Sequence, residues 1–175
     1  MQVPDVDGLY FGGGYPELFA KELEASPVTR QVAQKAAAGM LIYGECGGFM
    51  YLCRSLEMDD ATYRFAGVLA ADIIQTQRFQ ALGYTVAEVV SDNAIMGVGE
   101  TVRGHEFHYS KAVCDEDVKF VYRMKRGKGI ANGMDGLTKY NTVGSYMHAA
   151  PTVGKHFVES CRGYKMKLGK SEDSI

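Results

Sequence analysis

Tyr43-Gly44-Glu45-Cys46-Gly47-Gly48 places a single thiol among small residues where an apolar run meets a helical pattern. The run ahead of it, Ala38-Gly39-Met40-Leu41-Ile42-Tyr43, has the length and character of a short buried strand. Behind it, Phe49 to Leu56 carries apolar residues at helical spacing. A chain that turns sharply from strand to helix forces the turn residue into a strained backbone, tolerable only between glycines. The stretch therefore predicts a nucleophile elbow, with the Cys46 thiol held exposed at a helix N-terminus. There the helix dipole and free backbone N–H groups favour the thiolate, the form that attacks a carbonyl carbon.

Upstream of the elbow, Asp7 to Phe11 reads as a strand running into Gly12-Gly13-Gly14, and Pro16 opens a helix with Glu17 in its first turn. A second helical stretch, Pro27 to Ala38, leads back to the elbow strand. Strand, helix and strand in that order imply parallel pairing through right-handed crossovers. Between Tyr63 and Lys125 the texture changes to short β-rich runs, Gly83 to Val90, Thr101 to Tyr109 and Val118 to Met124, which predict appended antiparallel strands. Leu137 to Met147 adds one or two strands and Thr152 to Cys161 a final helix, followed by a polar, frayed tail. The prediction is an α/β three-layer sandwich with a mostly parallel, flavodoxin-like central sheet and an antiparallel extension. One domain covers residues 1–164 and the tail residues 165–175.

The chain has 175 residues and is 46% hydrophobic, enough for one full core. Its 19 basic and 21 acidic residues nearly cancel, which argues against a nucleic-acid partner. No apolar stretch approaches the ~20 residues that span a bilayer, and the N-terminus has no secretory layout, so a cytoplasmic protein without membrane association is predicted. Cys46, Cys53, Cys114 and Cys161 are scattered without a C-x-x-C pair, so neither a zinc site nor a disulfide framework is suggested.

A thiol nucleophile needs a base. His148, in Gly144-Ser145-Tyr146-Met147-His148, follows an apolar strand, and ligands gather at the C-terminal edges of parallel strands. A histidine met alone is commonly structural; one that closes a strand in a chain with an elbow cysteine is the candidate base. Gly12 to Gly14 supply backbone N–H groups suited to an oxyanion. A glycine triplet alone is commonly just a loop, but beside the elbow Gly13, Gly14 and Gly47 become the candidate oxyanion hole. His105, Glu106 and His108 invite a metal reading, yet strand alternation puts His105 opposite Glu106 and His108, so no metal site is predicted. Lys119, Arg123, Lys125, Arg126 and Lys128 form the densest basic patch, read as a solvated edge hairpin. Gly169-Lys170-Ser171 lacks the spacing, strand and helix of a phosphate loop.

Five blocks carry a family resemblance: Gly8 to Glu17 (GLYFGGGYPE), Glu45 to Leu52 (ECGGFMYL), Gln80 to Tyr84 (QALGY), Arg103 to Ser110 (RGHEFHYS) and Ser145 to His148 (SYMH). In that order they resemble the C-terminal glutaminase domain of cobyrinic acid a,c-diamide synthases and of the related nickel-sirohydrochlorin a,c-diamide synthase. The resemblance implies a class I glutamine amidotransferase fold and activity. Cys46 matches the nucleophile that forms a glutamyl thioester, His148 the base, and the Gly12 to Gly14 loop with Gly47 the oxyanion hole. It also suggests that Glu106 and His108 are substrate-adjacent, facing the rim of the site. In the wider class a glutamate two residues after the histidine orients the ring. Ala150 stands there, so a dyad is expected and another group must fix His148.

The resemblance implies further partners. Complete synthases carry an ATP-dependent ligase domain, so ATP and Mg are expected there and no cofactor in this chain. Glutamine is the expected substrate, and a carboxylate-rich tetrapyrrole the acceptor, for which the basic patch is an alternative docking surface. Glutaminase domains of this type have a strand-helix-strand unit ahead of the glycine-turn strand, so an N-terminally shortened domain is expected. Its open sheet edge favours a homo-oligomer or docking on a ligase in trans. Two functions follow: an active glutaminase feeding ammonia to the ligase, or a non-catalytic remnant or interaction subunit.

Overall fold

The computed structural model describes residues 2–149 and 151–172, with side chains as far as Gly163; Ala150 and residues 173–175 of the polar tail lie outside the described residues. Strand β1 (Gly8–Phe11) pairs in parallel with β2 (Leu41–Glu45). A 3-10 turn at Pro16–Phe19, helix α1 (Ala20–Ala25) and helix α2 (Pro27–Ala37) make the crossover. Helix α2 starts where its sequence dictates: Pro27 occupies the first turn and Ser26 Oγ accepts from the Val28 N–H, a cap worth about 0.5–2 kcal/mol. Its buried residues, Thr29, Val32 and Ala36, lie on one face.

All five residues of β2 are buried, as expected of a strand with neighbours on both sides and both faces covered. The chain then turns into helix α3, which is shorter than the apolar spacing suggests: it spans Gly47–Leu52, and Cys53 is already extended. Ser55–Met58 forms strand β3, paired with β4 (Ala61–Arg64) across a turn in which Asp59 and Asp60 both have positive φ. These join β5 (Ala71–Gln75) and β8 (Ser110–Cys114) in a small sheet ordered β4-β3-β5-β8.

The main sheet has eight strands: β1 and β2, then β11 (Thr142–Ser145), β10 (Met134–Lys139), β9 (Lys119–Arg126), β6 (Ala81–Val89), β7 (Thr101–His108) and β12 (His148–Ala149), in that spatial order. The neighbours β1–β2 and β2–β11 pair in parallel and every later pair is antiparallel, so the antiparallel extension is longer than the parallel part. Strand β9 lies between β10 and β6, so the basic patch sits on an interior strand and not on an edge hairpin. Lys125 is paired with Glu88 at 2.7 Å.

Neighbouring residues of β2 divide the core. Ile42 faces a cluster with α2, α3 and the small sheet, while Leu41 and Tyr43 face a second cluster with Val153 and Phe157 of helix α4 (Pro151–Glu172). This is the three-layer α/β sandwich, and α4 continues past Cys161 into the polar stretch read as a tail. Among the described residues no helix is long and apolar enough to cross a membrane. The parallel strands bring Phe11, Glu45 and Ser145 to one end of the sheet, which places the Gly12–Gly14 loop, Cys46 and the segment leading to His148 side by side.

Candidate active site

Cys46 occupies φ 45°, ψ −103°, a conformation a side chain rarely adopts and one that costs on the order of 1–3 kcal/mol. The elbow holds because its flanks are fixed. The Cys46 N–H donates to the Ser145 carbonyl at 2.8 Å and its carbonyl accepts from the Met50 N–H at 2.9 Å. Phe49 and Leu52 are fully buried, each worth about 1.5–3 kcal/mol, more together than the strain. A Cβ on Gly47 would lie 2.2 Å from the Gly14 carbonyl oxygen, so the glycine loop is pressed directly against the elbow. A Cβ on Gly13 would lie 2.2 Å from Cε1 of His148. The loop thus bridges nucleophile and base, with Gly14 on one and Gly13 on the other.

The thiol is not exposed. Cys46 is 7% accessible, and its sulfur donates to the Phe107 carbonyl at 3.6 Å. Burial pushes the thiol up to about 11, with Glu17, Glu45 and Asp135 adding to the rise and the Gly47 N–H partly opposing it. Desolvation therefore outweighs the helix start, which is only six residues long. The cavity beside Cys46 measures ≈30 Å³, room for one or two waters at the ~10–15 Å³ each requires.

His148 is half-buried on β12, directly across from His105 of β7, and their rings stack 7° from parallel with centroids 4.7 Å apart. Burial, then the neighbouring His105, holds its pKa below the ordinary histidine value, which keeps the ring neutral and able to take a proton at pH 7. Among the described residues no hydrogen bond joins it to Cys46; the two are related through the glycine loop.

Strand alternation separates the RGHEFHYS residues as expected: His105 and Phe107 are exposed, Glu106 and His108 buried. His108 lines the Cys46 cavity. Its Nδ1 donates to the Ser110 carbonyl at 2.9 Å, which leaves Nε2 as an acceptor, buried and without a partner among the described residues. Glu106 does not face the rim. Its carboxylate accepts from the Lys128 and Gly129 N–H groups at 2.9 and 2.7 Å and secures that turn, because the segment after β9 folds over it. Among the described residues no group of three or more His, Cys, Asp or Glu could hold a metal ion.

Two buried acids were not singled out by sequence. Glu45, read only as the elbow's flank, accepts from Tyr10 Oη at 2.6 Å and from the Ala149 N–H at 3.0 Å. Asp135, fully buried, accepts from the Gly136 N–H, Ser145 Oγ and the Tyr146 N–H at 2.7, 2.9 and 3.2 Å, fixing the chain that leads to His148. An acid inside an otherwise buried strand was the available signal in both cases. Burial pushes Asp135 up to about 7 against the pull of these bonds. Between about pH 4 and 7 the native state then binds the extra proton, so this group's contribution to stability falls as pH rises. Relative to Asp135→Asn, which carries no titration, the wild-type chain is expected to lose stability steadily across that window in urea unfolding. A wild-type chain that gains on Asp135→Asn with rising pH would contradict this.

Comparison with known proteins agrees with the geometry. Residues 1–152 match the model of the CobB/CobQ-like glutamine amidotransferase domain. The cobyrinate a,c-diamide synthase of Haloarcula marismortui is 47% identical over 147 residues, covering 83% of this chain and 34% of that protein. That of Methanothermobacter thermautotrophicus is 44% identical over 148 residues, covering 84% and 32%. The chain spans about a third of the length of these curated relatives. Among solved structures, PurLQS from Thermotoga maritima superposes with a TM-score of 0.67 at 19% identity, over 94% of this chain and 82% of that one. A glutamine amidotransferase structure superposes at 0.63 and 18%, over 89% and 79%. At such identities these two likenesses concern the fold alone.

Proposed function

The chain belongs to the CobB/CobQ-like glutamine amidotransferase domain family, and from that premise we propose that it is the glutaminase of a tetrapyrrole a,c-diamide synthase, with Cys46 and His148 as its dyad. The observation that carries this reading is the elbow itself, strained at Cys46 and packed through Gly13 and Gly14 against both Gly47 and His148. His148 takes the Sγ proton, and the thiolate attacks the side-chain amide carbon of glutamine. The N–H groups of the Gly12–Gly14 loop and Gly47 receive the oxyanion. Collapse expels ammonia, protonated by the imidazolium, and leaves a glutamyl thioester. Water, activated by His148, then releases glutamate. The unpartnered Nε2 of His108 is suited to accept a hydrogen bond from the substrate.

A cavity of ≈30 Å³ cannot admit glutamine as it stands, and the thiol is protonated and engaged by Phe107. Binding must therefore open the site and redirect Sγ toward His148, a step of the kind that sets turnover in gated enzymes. The rest of such a synthase, an ATP- and Mg-dependent ligase carrying the cobyrinate-like acceptor, is the partner expected to favour the open form. Glutamate release by the chain alone should be slow and should rise about tenfold or more when that ligase region, ATP, Mg and cobyrinate are added. Fast hydrolysis indifferent to the additions would indicate a free-standing hydrolase. No hydrolysis under either condition would favour a silenced remnant, the reading to which the closed site lends weight.

A further inference from the structure

We propose that Glu45, the residue immediately before the nucleophile, is the positioning residue of His148; the role rests on the glutaminase reading above. The histidine needs a fixed ring to take a proton from one atom and return it to another, and the position two residues after it holds Ala150 instead of a carboxylate. The structure supplies a carboxylate from the other side. Oε1 of Glu45 accepts from the Ala149 N–H at 3.0 Å, one residue from His148, and from Tyr10 Oη at 2.6 Å. Strand β12 is only two residues long and pairs with β7 through His148 and Ala149. Glu45 therefore ties the other side of this short segment to the end of β2 that carries Cys46.

Around the ring and the carboxylate, Tyr10 comes from β1 and His105 from β7, and His105 both stacks on His148 and acts electrostatically on Glu45. Among the described residues, Tyr43, Cys46 and Tyr122 also act electrostatically on Glu45. Gly13 lies against the Cε1 side of the ring. Glu45 is 8% accessible, and among the described residues no lysine or arginine forms an ion pair with it. Burying a carboxylate without such a cation is costly, and its two hydrogen bonds are the compensation. Both bonds end on segments that build the site: β1, which feeds the glycine loop, and β12, which bears the base. One carboxylate thus sets the spacing between the oxyanion loop and His148.

Glu45→Ala and Glu45→Gln separate this role from bulk stability. Glu45→Ala is expected to lower kcat for glutamine hydrolysis by about 10- to 100-fold, the range in which small misplacements of reacting groups fall, with KM changed less than about twofold. Glu45→Gln, whose amide oxygen can accept the same two bonds, should recover most of the loss. In a histidine-labelled chain the ring nitrogen shifts of His148 should move in Glu45→Ala and stay near wild type in Glu45→Gln. Wild-type kcat with unmoved His148 shifts in a folded Glu45→Ala chain would overturn the proposal. If the parent chain hydrolyses no glutamine either alone or with the ligase region, ATP, Mg and cobyrinate, the glutaminase reading fails and the shifts alone decide on Glu45: unmoved shifts overturn it and moved shifts support it. Should Glu45→Ala not fold, Tyr10→Phe, which deletes one of the two bonds, carries the same test with a smaller expected fall of about threefold.

Discussion

Replacing Cys46 with alanine is expected to lower glutamine hydrolysis by about 10³-fold or more, because the reaction then loses its covalent route and keeps only what binding and the oxyanion hole contribute. The fold should survive, since the elbow is held by backbone bonds to Ser145 and Met50 and by the buried face of α3. Covalent labelling sharpens the test. With the thiol pushed up to about 11, only about one sulfur in 10⁴ is thiolate at pH 7, so a small neutral alkylator should react slowly with the ligand-free chain. Its rate should climb about tenfold per pH unit below that value. A glutamine-shaped diazo-ketone that opens the site and engages His148 should label Cys46 at much lower pH. Burial also holds the other thiols protonated: Cys53 is fully buried, and Cys114 and Cys161 are likewise raised by burial. An adduct on any of those with Cys46 unmodified, or a Cys46→Ala chain of wild-type activity, would remove the nucleophile assignment.

The elements that were legible from sequence are those whose local signals and tertiary contacts agree. The buried run before Cys46, the Ser26-Pro27 start of α2, and the glycines around the elbow each have a local physical reason to be what they are. The apolar stretch from Phe49 to Leu56 was ambiguous, because helical spacing over eight residues also suits a short helix followed by a strand. What decides it is tertiary: the Arg54 N–H donates to the Ala71 carbonyl, and β3 takes its place beside β5. The local clue is the Asp59-Asp60 pair, a residue type that tolerates the positive φ both positions adopt. In the site, residue types could be read but their depth could not. Sequence places Cys46 at a helix start, where thiolate is favoured, but only the packing of β7 across it shows that burial wins. Glu106 and His108 share a face as alternation requires, yet one secures a turn and the other lines the cavity, a difference set by where the segment after β9 folds. Glu45 needed the partner strand in view, since Tyr10 is 35 residues and Ala149 104 residues away in the chain.

His148→Ala is expected to reduce kcat by about 10²- to 10⁴-fold, the usual worth of a positioned general base, with KM little changed. The loss should be confined to chemistry, because the residue is half-buried on a two-residue edge strand and leaves the main core intact. The pH profile identifies the group. A base must be neutral to accept the thiol proton, and burial together with His105 holds the His148 pKa below the ordinary histidine value. The acid limb of kcat/KM for the wild-type chain should therefore lie below the ordinary histidine value of about 6.5. Glu45 and Tyr10 on the β1–β2 side, His105 on β7 and the Cys46 thiol are the other ionisable groups around that ring. In His148→Ala the limb should vanish along with most of the rate. A variant that keeps both turnover and the acid limb would show that another group takes the proton, and the dyad would have to be abandoned even if Cys46 were confirmed as the nucleophile.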